Sequence, residues 1–316
     1  MSQTDSEKIR ETVREGYARI AQGEILIQSP AQVGPCCAES AHAASGCCSG
    51  EAPAKATSCC GGDEPAVAHE LARAVGYDLE DLQALPEGAN MGLSCGNPVA
   101  LATLKPGEVV VDLGSGGGFD VFIAGRRVGP TGRAIGIDMT PEMLSKARRN
   151  TAVYRESTGL DNAEFRLGEI EHLPLADASV DCIISNCVIN LSPDKPQVWR
   201  EIARVLKPGG RVAVSDIVLL KPLPDVVRAQ VQALVGCVAG AVLMYETEAM
   251  ARDAGLIDVQ LTRKDDYVQA LTDWRDPLDQ QIAAALPPGM SVGDYVTSLE
   301  VTAFQPRAGS GCCTSC

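Results

Sequence analysis

The sequence predicts an α/β fold built on a parallel-rich, doubly wound sheet, with a helix and a cysteine-rich arm ahead of it and a small α/β extension behind it. Three observations support this. Short apolar runs alternate with helical patterns from about residue 109 to residue 215, as strand–helix–strand units do. The first run leads into Gly114-Ser-Gly-Gly-Gly118, at the carboxyl end of a strand where such sheets bind ligands. Over 29–65, and again over 307–316, composition shifts to small residues and cysteine without periodicity.

Taken in order, residues 6–28 read as an amphipathic helix carrying Ile9, Val13, Tyr17 and Ile20 on one face, with Thr4-Asp5-Ser6-Glu7 as a capping box ahead of it. Residues 29–65 read as a linker or mobile arm with the adjacent pairs Cys36-Cys37, Cys47-Cys48 and Cys59-Cys60. Val109-Val-Val-Asp-Leu113 is a buried strand, and a helix follows through Val128. Arg133 to Asp138 is a second strand. Thr140 then caps a helix with Pro141 at its first position, where proline's fixed φ and missing donor are no handicap. Ala163 to Leu167 and Val180 to Ser185 are the third and fourth strands. A helix from about Asp194 to Leu206 stops at Lys207-Pro-Gly-Gly210, and Arg211 to Ser215 is the fifth strand. Beyond Pro222 the pattern loosens into helical stretches near 225–243 and 245–254 and a strand at Ile257-Asp-Val-Gln-Leu261. The expected divisions are 1–66, helix and arm; 67–218, a cofactor-binding domain; 219–306, an extension partly continuing the sheet; and 307–316, a cysteine-rich tail.

A chain of 316 residues can bury a substantial core. Its net charge of −14 argues against nucleic acid or an anionic membrane as partner, because both need a basic surface. The start, with Asp5, Glu7 and Glu11, is unlike a signal or transit peptide, and the run Val231 to Met244 is too short to span a bilayer. The expectation is a cytoplasmic monomer. In a reducing compartment its 13 cysteines point to metal binding or catalysis more than to structural disulfides.

The glycine cluster lets a ligand approach the backbone where a side chain would collide with it. A dinucleotide fingerprint would require glycine at Phe119, so that reading fails. The spacing Gly114-x-Gly116-x-Gly118 suits S-adenosylmethionine, whose amino-acid end needs close backbone contact and no pyrophosphate pocket. Asp138, at the end of the second strand, can accept both ribose hydroxyl protons. Met139 can cover an adenine face, and the Ile170 backbone can read the adenine edge. Asp112, Ser115, Asp120, Thr140, Glu171 and Asn186 complete the candidate cofactor set.

A methyltransferase of DNA or protein amino groups would show a proline-rich, aromatic-tipped motif after the fourth strand. Ser185-Asn-Cys-Val-Ile-Asn-Leu191 stands there instead and sets a thiol, Cys187, at the strand's carboxyl end. Cys95 lies in Gly92-Leu-Ser-Cys-Gly-Asn-Pro98, read as a flexible segment before the first strand. Cys237 lies in Leu234-Val-Gly-Cys-Val-Ala-Gly240, where small neighbours admit something bulky. Any one of these can equally be packed apolar filling. Cys182, mid-strand between apolar neighbours, reads as core, and His42, His69 and His172 show no ligand spacing.

With Arg204-Val-Leu-Lys-Pro-Gly-Gly210, these elements resemble the Rossmann-like class I methyltransferases over roughly residues 90 to 216. Ser-Cys-Gly-Asn-Pro at 94–98, Asp-Leu-Gly-Ser-Gly-Gly-Gly at 112–118, Gly-Ile-Asp-Met-Thr at 136–140, Ser-Asn-Cys-Val-Ile-Asn-Leu at 185–191 and the Gly-Cys around 237 resemble, more narrowly, the arsenite S-adenosylmethionine methyltransferases. That resemblance covers roughly residues 67 to 260 and extends weakly to Val13-Arg-Glu-Gly-Tyr-Ala18. It implies methylation of As(III) and of methylated trivalent arsenicals in arsenic detoxification, with Cys95, Cys187 and Cys237 as the As(III) ligands. It also implies an amino-terminal cysteine that pairs with Cys95, and reduction by thioredoxin or glutathione. Of six arm candidates, Cys59 and Cys60 are nearest in sequence to Cys95.

The chemistry agrees, since As(III) is thiophilic, its lone pair is the nucleophile and no general base is needed. The remaining arm cysteines Cys36, Cys37, Cys47 and Cys48, with Cys312, Cys313 and Cys316 of the tail, are candidates for accessory As(III) capture. They can instead bind zinc, although the arm lacks paired C-x-x-C knuckles, or stand as exposed thiols without a role. The rival readings are a carbon- or oxygen-methylating enzyme of the quinone or sterol type, which has no use for the three separated cysteines, and a metalloid-sequestering protein, which has none for a methyl-donor site.

Overall fold

A computed structural model of the chain describes residues 3–23, 64–223, 240–264 and 289–307. The apolar run Val109–Leu113 forms strand β1, and it is almost wholly apolar because both of its faces are covered. Successive side chains alternate between two cores. Val111, Leu113 and Ile183 pack with Trp199 and Ile202 on one face, while Val110, Cys182 and Ile184 pack with Phe122 and Tyr154 on the other. Burial pushes the Cys182 thiol up to about 12, as befits a core residue.

β1 pairs in parallel with β2 (Arg133–Asp138) and β4 (Val180–Asn186). β2 pairs in parallel with β3 (Ala163–Leu167), and β4 with β5 (Leu206–Leu219). The remaining strands, β6 (Ile257–Lys264) and β7 (Val296–Phe304), complete a seven-stranded sheet of order β3-β2-β1-β4-β5-β7-β6, with β7 antiparallel to both its neighbours. The direction of strand order reverses between β1 and β4, so the ligand crevice lies at the carboxyl ends of those two strands.

The helices are α1 (Gln3–Ala21), α2 (Glu64–Ala74), α3 (Leu79–Gln83), α4 (Pro98–Ala102), α5 (Phe119–Val128), α6 (Pro141–Thr158), α7 (Lys195–Val205) and α8 (Met244–Asp253). Helix α1 starts earlier than its sequence suggests, so Thr4 to Glu7 lie inside its first turns and not ahead of them; Asp5 there suits the positive end of the helix dipole. Helix α2 begins at Glu64, within the stretch read as arm. Thr140 occupies the cap position of α6, but its hydroxyl does not cap the helix; its N–H donates to Asp138 at 2.8 Å instead.

The segment before β1, read from the sequence as flexible, is packed into the fold. Cys95 is 1% exposed, and Asn97 caps α4 by accepting from the Ala100 N–H at 2.9 Å. Gly96 packs so closely on β5 that a Cβ there would lie 2.6 Å from that of Ser215. Strand β5 is longer than its apolar core. It absorbs Lys207 to Gly210 and continues past Ser215, because the buried Asp216 carboxylate finds hydrogen bonds within the fold. Strand β7 is absent from the sequence reading, and most of the helical stretch near 225–243 lies outside the described residues. Among the described residues no helix is long and apolar enough to cross a membrane.

Candidate active site

The loop after β1 is built from backbone that only glycine adopts cheaply. Gly114, Gly116 and Gly118 have φ of 69°, 49° and 94°. A Cβ on Gly114 would collide with Val188, so the loop can lie against the segment after β4 only without a side chain there. Gly118 opens α5 against Phe122 and Phe165 and does not line the cavity beside the loop.

That cavity is partly open to solvent and runs from the glycine loop to the carboxyl ends of β2, β3 and β4. Asp112, Gly114, Ser115, Gly116 and Asp120 form one wall, and Asp138, Met139 and Thr140 after β2 form a second. Ile170 and Glu171 follow β3, and Asn186 and Cys187 close the far side at the end of β4. Helix α1 supplies a roof through Arg10, Val13 and Tyr17, which sequence reasoning had not placed in a site. Its apolar face was the available signal. Val13 is 1% exposed, and Arg10 is within 3.4 Å of both Glu169 and Glu171, which ties the roof to the wall.

The walls carry crowded acid. Burial and then repulsion from Asp120 and Asp138 hold the Asp112 carboxyl well above its ordinary range. Burial raises Asp120 to about 6, although the Tyr77 hydroxyl donates to it at 2.6 Å and the Asn186 amide at 3.2 Å. Burial raises Asp138 as well, against the N–H groups of Thr140 and Gly116, which donate at 2.8 and 2.9 Å. A cationic ligand would offset this charge. Tyr77 is a further residue that sequence reasoning missed, since only the fold brings it to Asp120.

Cys187 has φ 55°, in the left-handed region, and its N–H donates to the Ser215 carbonyl at 2.9 Å. Its sulfur is joined in a disulfide to that of Cys95, with a Cα–Cα separation of 6.0 Å. Cys95 stands behind the cavity wall. Its N–H donates to Asn186 Oδ1 at 3.0 Å, and its carbonyl accepts from the Ser298 hydroxyl of β7 at 2.8 Å. Asn186 therefore touches the thiol pair with one end and Asp120 with the other. The structure brings Cys95 and Cys187 together. Cys237 lies outside the described residues, as do Cys36, Cys37, Cys47, Cys48, Cys59, Cys60, Cys312, Cys313 and Cys316. In this structure the partner of Cys95 is Cys187, and the arm cysteines that the sequence offers as partners lie outside the described residues.

Asp216 of β5 also reaches this corner. One of its oxygens and the two sulfurs all lie within 4.8 Å of one another. Burial pushes its carboxyl up to about 7, while hydrogen bonds from the Ile217 and Asn190 N–H groups pull the other way. Sequence reasoning passed over Asp216 because an acid after an apolar run reads as the end of a strand.

Residues 104–273 match the family model described as a methyltransferase domain. The chain is 42% identical over 308 residues to an arsenite methyltransferase of Halobacterium salinarum, which covers 96% of this chain and 68% of that protein. It is 37% identical over 157 residues to the human arsenite methyltransferase, 48% of this chain and 42% of that one. Among solved structures it is similar to an arsenic(III) S-adenosylmethionine methyltransferase from Chlamydomonas reinhardtii, with 33% identity, a TM-score of 0.55, and coverage of 78% of this chain and 76% of that one. The chain spans about two thirds of its Halobacterium relative and less than half of the human one.

Proposed function

The chain belongs to the arsenite methyltransferase family, with the Rossmann-like fold of class I methyltransferases, and from that premise we propose that it methylates As(III) and methylated trivalent arsenicals, a detoxifying activity. The observation that carries the reading is Cys187, a thiol on the wall of the same cavity as the glycine loop, with its sulfur on that of Cys95.

S-adenosylmethionine, when bound, supplies an electrophilic methyl group on a positively charged sulfur. The loop from Asp112 to Gly117 would receive its amino-acid end, Asp138 its ribose hydroxyls, Met139 one adenine face and the Ile170 backbone the adenine edge. Asp112 and Asp120 would face its positive charges. The fit is supported by the crowded carboxylates, whose ionisation is disfavoured until a cation arrives.

Cys95, Cys187 and Cys237 would hold As(III) as thiolates, the donors a soft centre prefers. The arsenic lone pair would attack the methyl carbon, with the carbon–sulfur bond breaking and its electrons going to the departing sulfur. No proton moves, so no general base is needed. Arg10, Val13 and Tyr17 would exclude water, and a dry site favours a step in which positive charge is dispersed. The arsenic rises from the trivalent to the pentavalent state, so two electrons must return from thiols. The Cys95–Cys187 disulfide is what such a pair becomes on giving them up, and thioredoxin or glutathione would restore it.

The test uses the purified full-length protein with S-adenosylmethionine, As(III) and a thiol reductant, read by chromatography with arsenic detection. Methylarsenicals are expected, and their absence would sink the proposal. Cys187→Ser should lower the rate at least ~100-fold, about 2.7 kcal/mol of lost transition-state stabilisation. Unimpaired turnover in that variant would remove the thiolate assignment.

A further inference from the structure

The arsenic reading uses thiolates alone and leaves Asp216 without a role. Yet Asp216 meets Cys95 and Cys187 from a separate part of the chain, and all three donor atoms lie within 4.8 Å of one another. The cluster is pre-organised. Asp216 Oδ1 accepts from the Asn190 side-chain amide and the Ile217 N–H, both at 2.8 Å, and Oδ2 accepts from the Asn190 N–H at 3.3 Å. The Ile189 N–H also donates to this carboxylate, which fills its roughly four lone-pair sites, so a cation would take the place of one of these donors. Cys95 is fixed by Asn186 and Ser298, and Cys187 by the Ser215 carbonyl.

Once reduced, these groups present two sulfurs and one oxygen, with the carboxylate adding negative charge to the thiolates. As(III) already fills its coordination with sulfur and gains little from that carboxylate. A divalent cation with a filled d shell takes sulfur and oxygen together at close to tetrahedral geometry, and its charge offsets the donors. We propose that in the reduced protein Cys95, Cys187 and Asp216 bind a divalent d10 cation of the zinc or cadmium kind, with water in the fourth position, in competition with As(III). A dithiol reductant opens the disulfide and becomes a disulfide itself. The cation then displaces two thiol protons to solvent with no change in its oxidation state. The inference shares two thiols with the arsenic reading and does not require Cys237.

The experiment reads Cys187 alone, so thiols elsewhere in the chain do not confuse it. Full-length protein is reduced with dithiothreitol, freed of it under nitrogen and exposed to Zn2+ at set free concentrations. It is then alkylated with iodoacetamide, and the peptide carrying Cys187 is quantified by mass spectrometry. Zn2+ should protect Cys187, and Asp216→Asn should need at least tenfold more free Zn2+ for half-protection. Phenylarsine oxide, which needs two thiols and no carboxylate, should protect both proteins at concentrations within threefold of each other. Failure of Zn2+ to protect the wild type, or an unmoved half-protection in the variant, overturns the inference. Failure of phenylarsine oxide to protect the wild type counts against the arsenic reading and leaves the zinc result to be judged separately. If Asp216→Asn loses S-adenosylhomocysteine binding, and with it evidence of folding, Asp216→Ser replaces it with the same expectations.

Discussion

Cys187 occupies a backbone conformation that costs a non-glycine residue roughly 1–2 kcal/mol, and the Ser215 carbonyl helps to hold it there. A glycine would fold there with less strain but would bring no sulfur. The carboxylates across the cavity set the pH behaviour of the donor side. Asp120 is raised to about 6 in the folded protein, so the native state holds this proton more tightly than the unfolded chain. Its contribution therefore destabilises the unliganded protein above about pH 6, and stability recovers as pH falls towards about 4, the ordinary carboxylate value. A cationic ligand wants the ionised form, so binding runs the opposite way. S-adenosylhomocysteine, which keeps the ammonium group, should bind about tenfold more tightly at pH 7 than at pH 5, because one pKa unit on either side of the midpoint changes the ionised fraction by that factor. Calorimetry checks this, and Asp120→Asn should flatten the profile. A wild-type affinity independent of pH would remove Asp120 from the donor site. Asp112 and Asp138 were legible in the sequence because they lie at fixed short distances from a glycine loop and a strand end. Asp216 and Tyr77 were not, because only pairing between distant strands and helices gives them their partners.

Helix α1 shows how an element can be legible in kind and illegible in destination. The spacing of Ile9, Val13 and Tyr17 marks an apolar face, but nothing local says that the face closes a cavity against Leu191, Met139 and Cys187. Burying a valine fully is worth roughly 1.5–3 kcal/mol, which corresponds to a factor of about 10 to 100 in an equilibrium. Val13→Asp in the full-length chain should weaken S-adenosylhomocysteine binding by an amount in that range and increase hydrogen exchange in α1. Unchanged affinity would mean that α1 does not act as a roof. The parallel strands β1 to β4 were read nearly to the residue, since β1, β2 and β4 carry short apolar runs bounded by turns or helices, and β3 alternates polar with apolar residues. Strand β5 was cut short at Ser215 because Asp216 is tolerated only with Asn190 opposite it. Strand β7 was missed because its fit depends on nine-residue pairing with β5, a segment more than 70 residues away.

At the scale of the whole molecule, the described residues place the glycine loop and the Cys95–Cys187 pair around one sheet, while nine of the 13 cysteines belong to the arm and the tail. If the arm gathers As(III), it acts by raising the local concentration near the cavity, and its benefit should vanish at saturation. Removal of residues 31–62, which spares α2, should lower kcat/KM for As(III) several-fold, by roughly 1 kcal/mol, and leave kcat unchanged. Equal kcat/KM in the two proteins would rule out delivery by the arm. The hydrogen bond from Ser298 to the Cys95 carbonyl also orders events in time. Every residue lining the cofactor cavity has been synthesised once the chain reaches Pro193, whereas the backbone beneath Cys95 waits for β7, more than 100 residues later. Chains grow from the amino end, so these segments emerge in that order. The residues that line the pocket are therefore all present in the growing chain before the segment that braces the Cys95–Cys187 pair has been made.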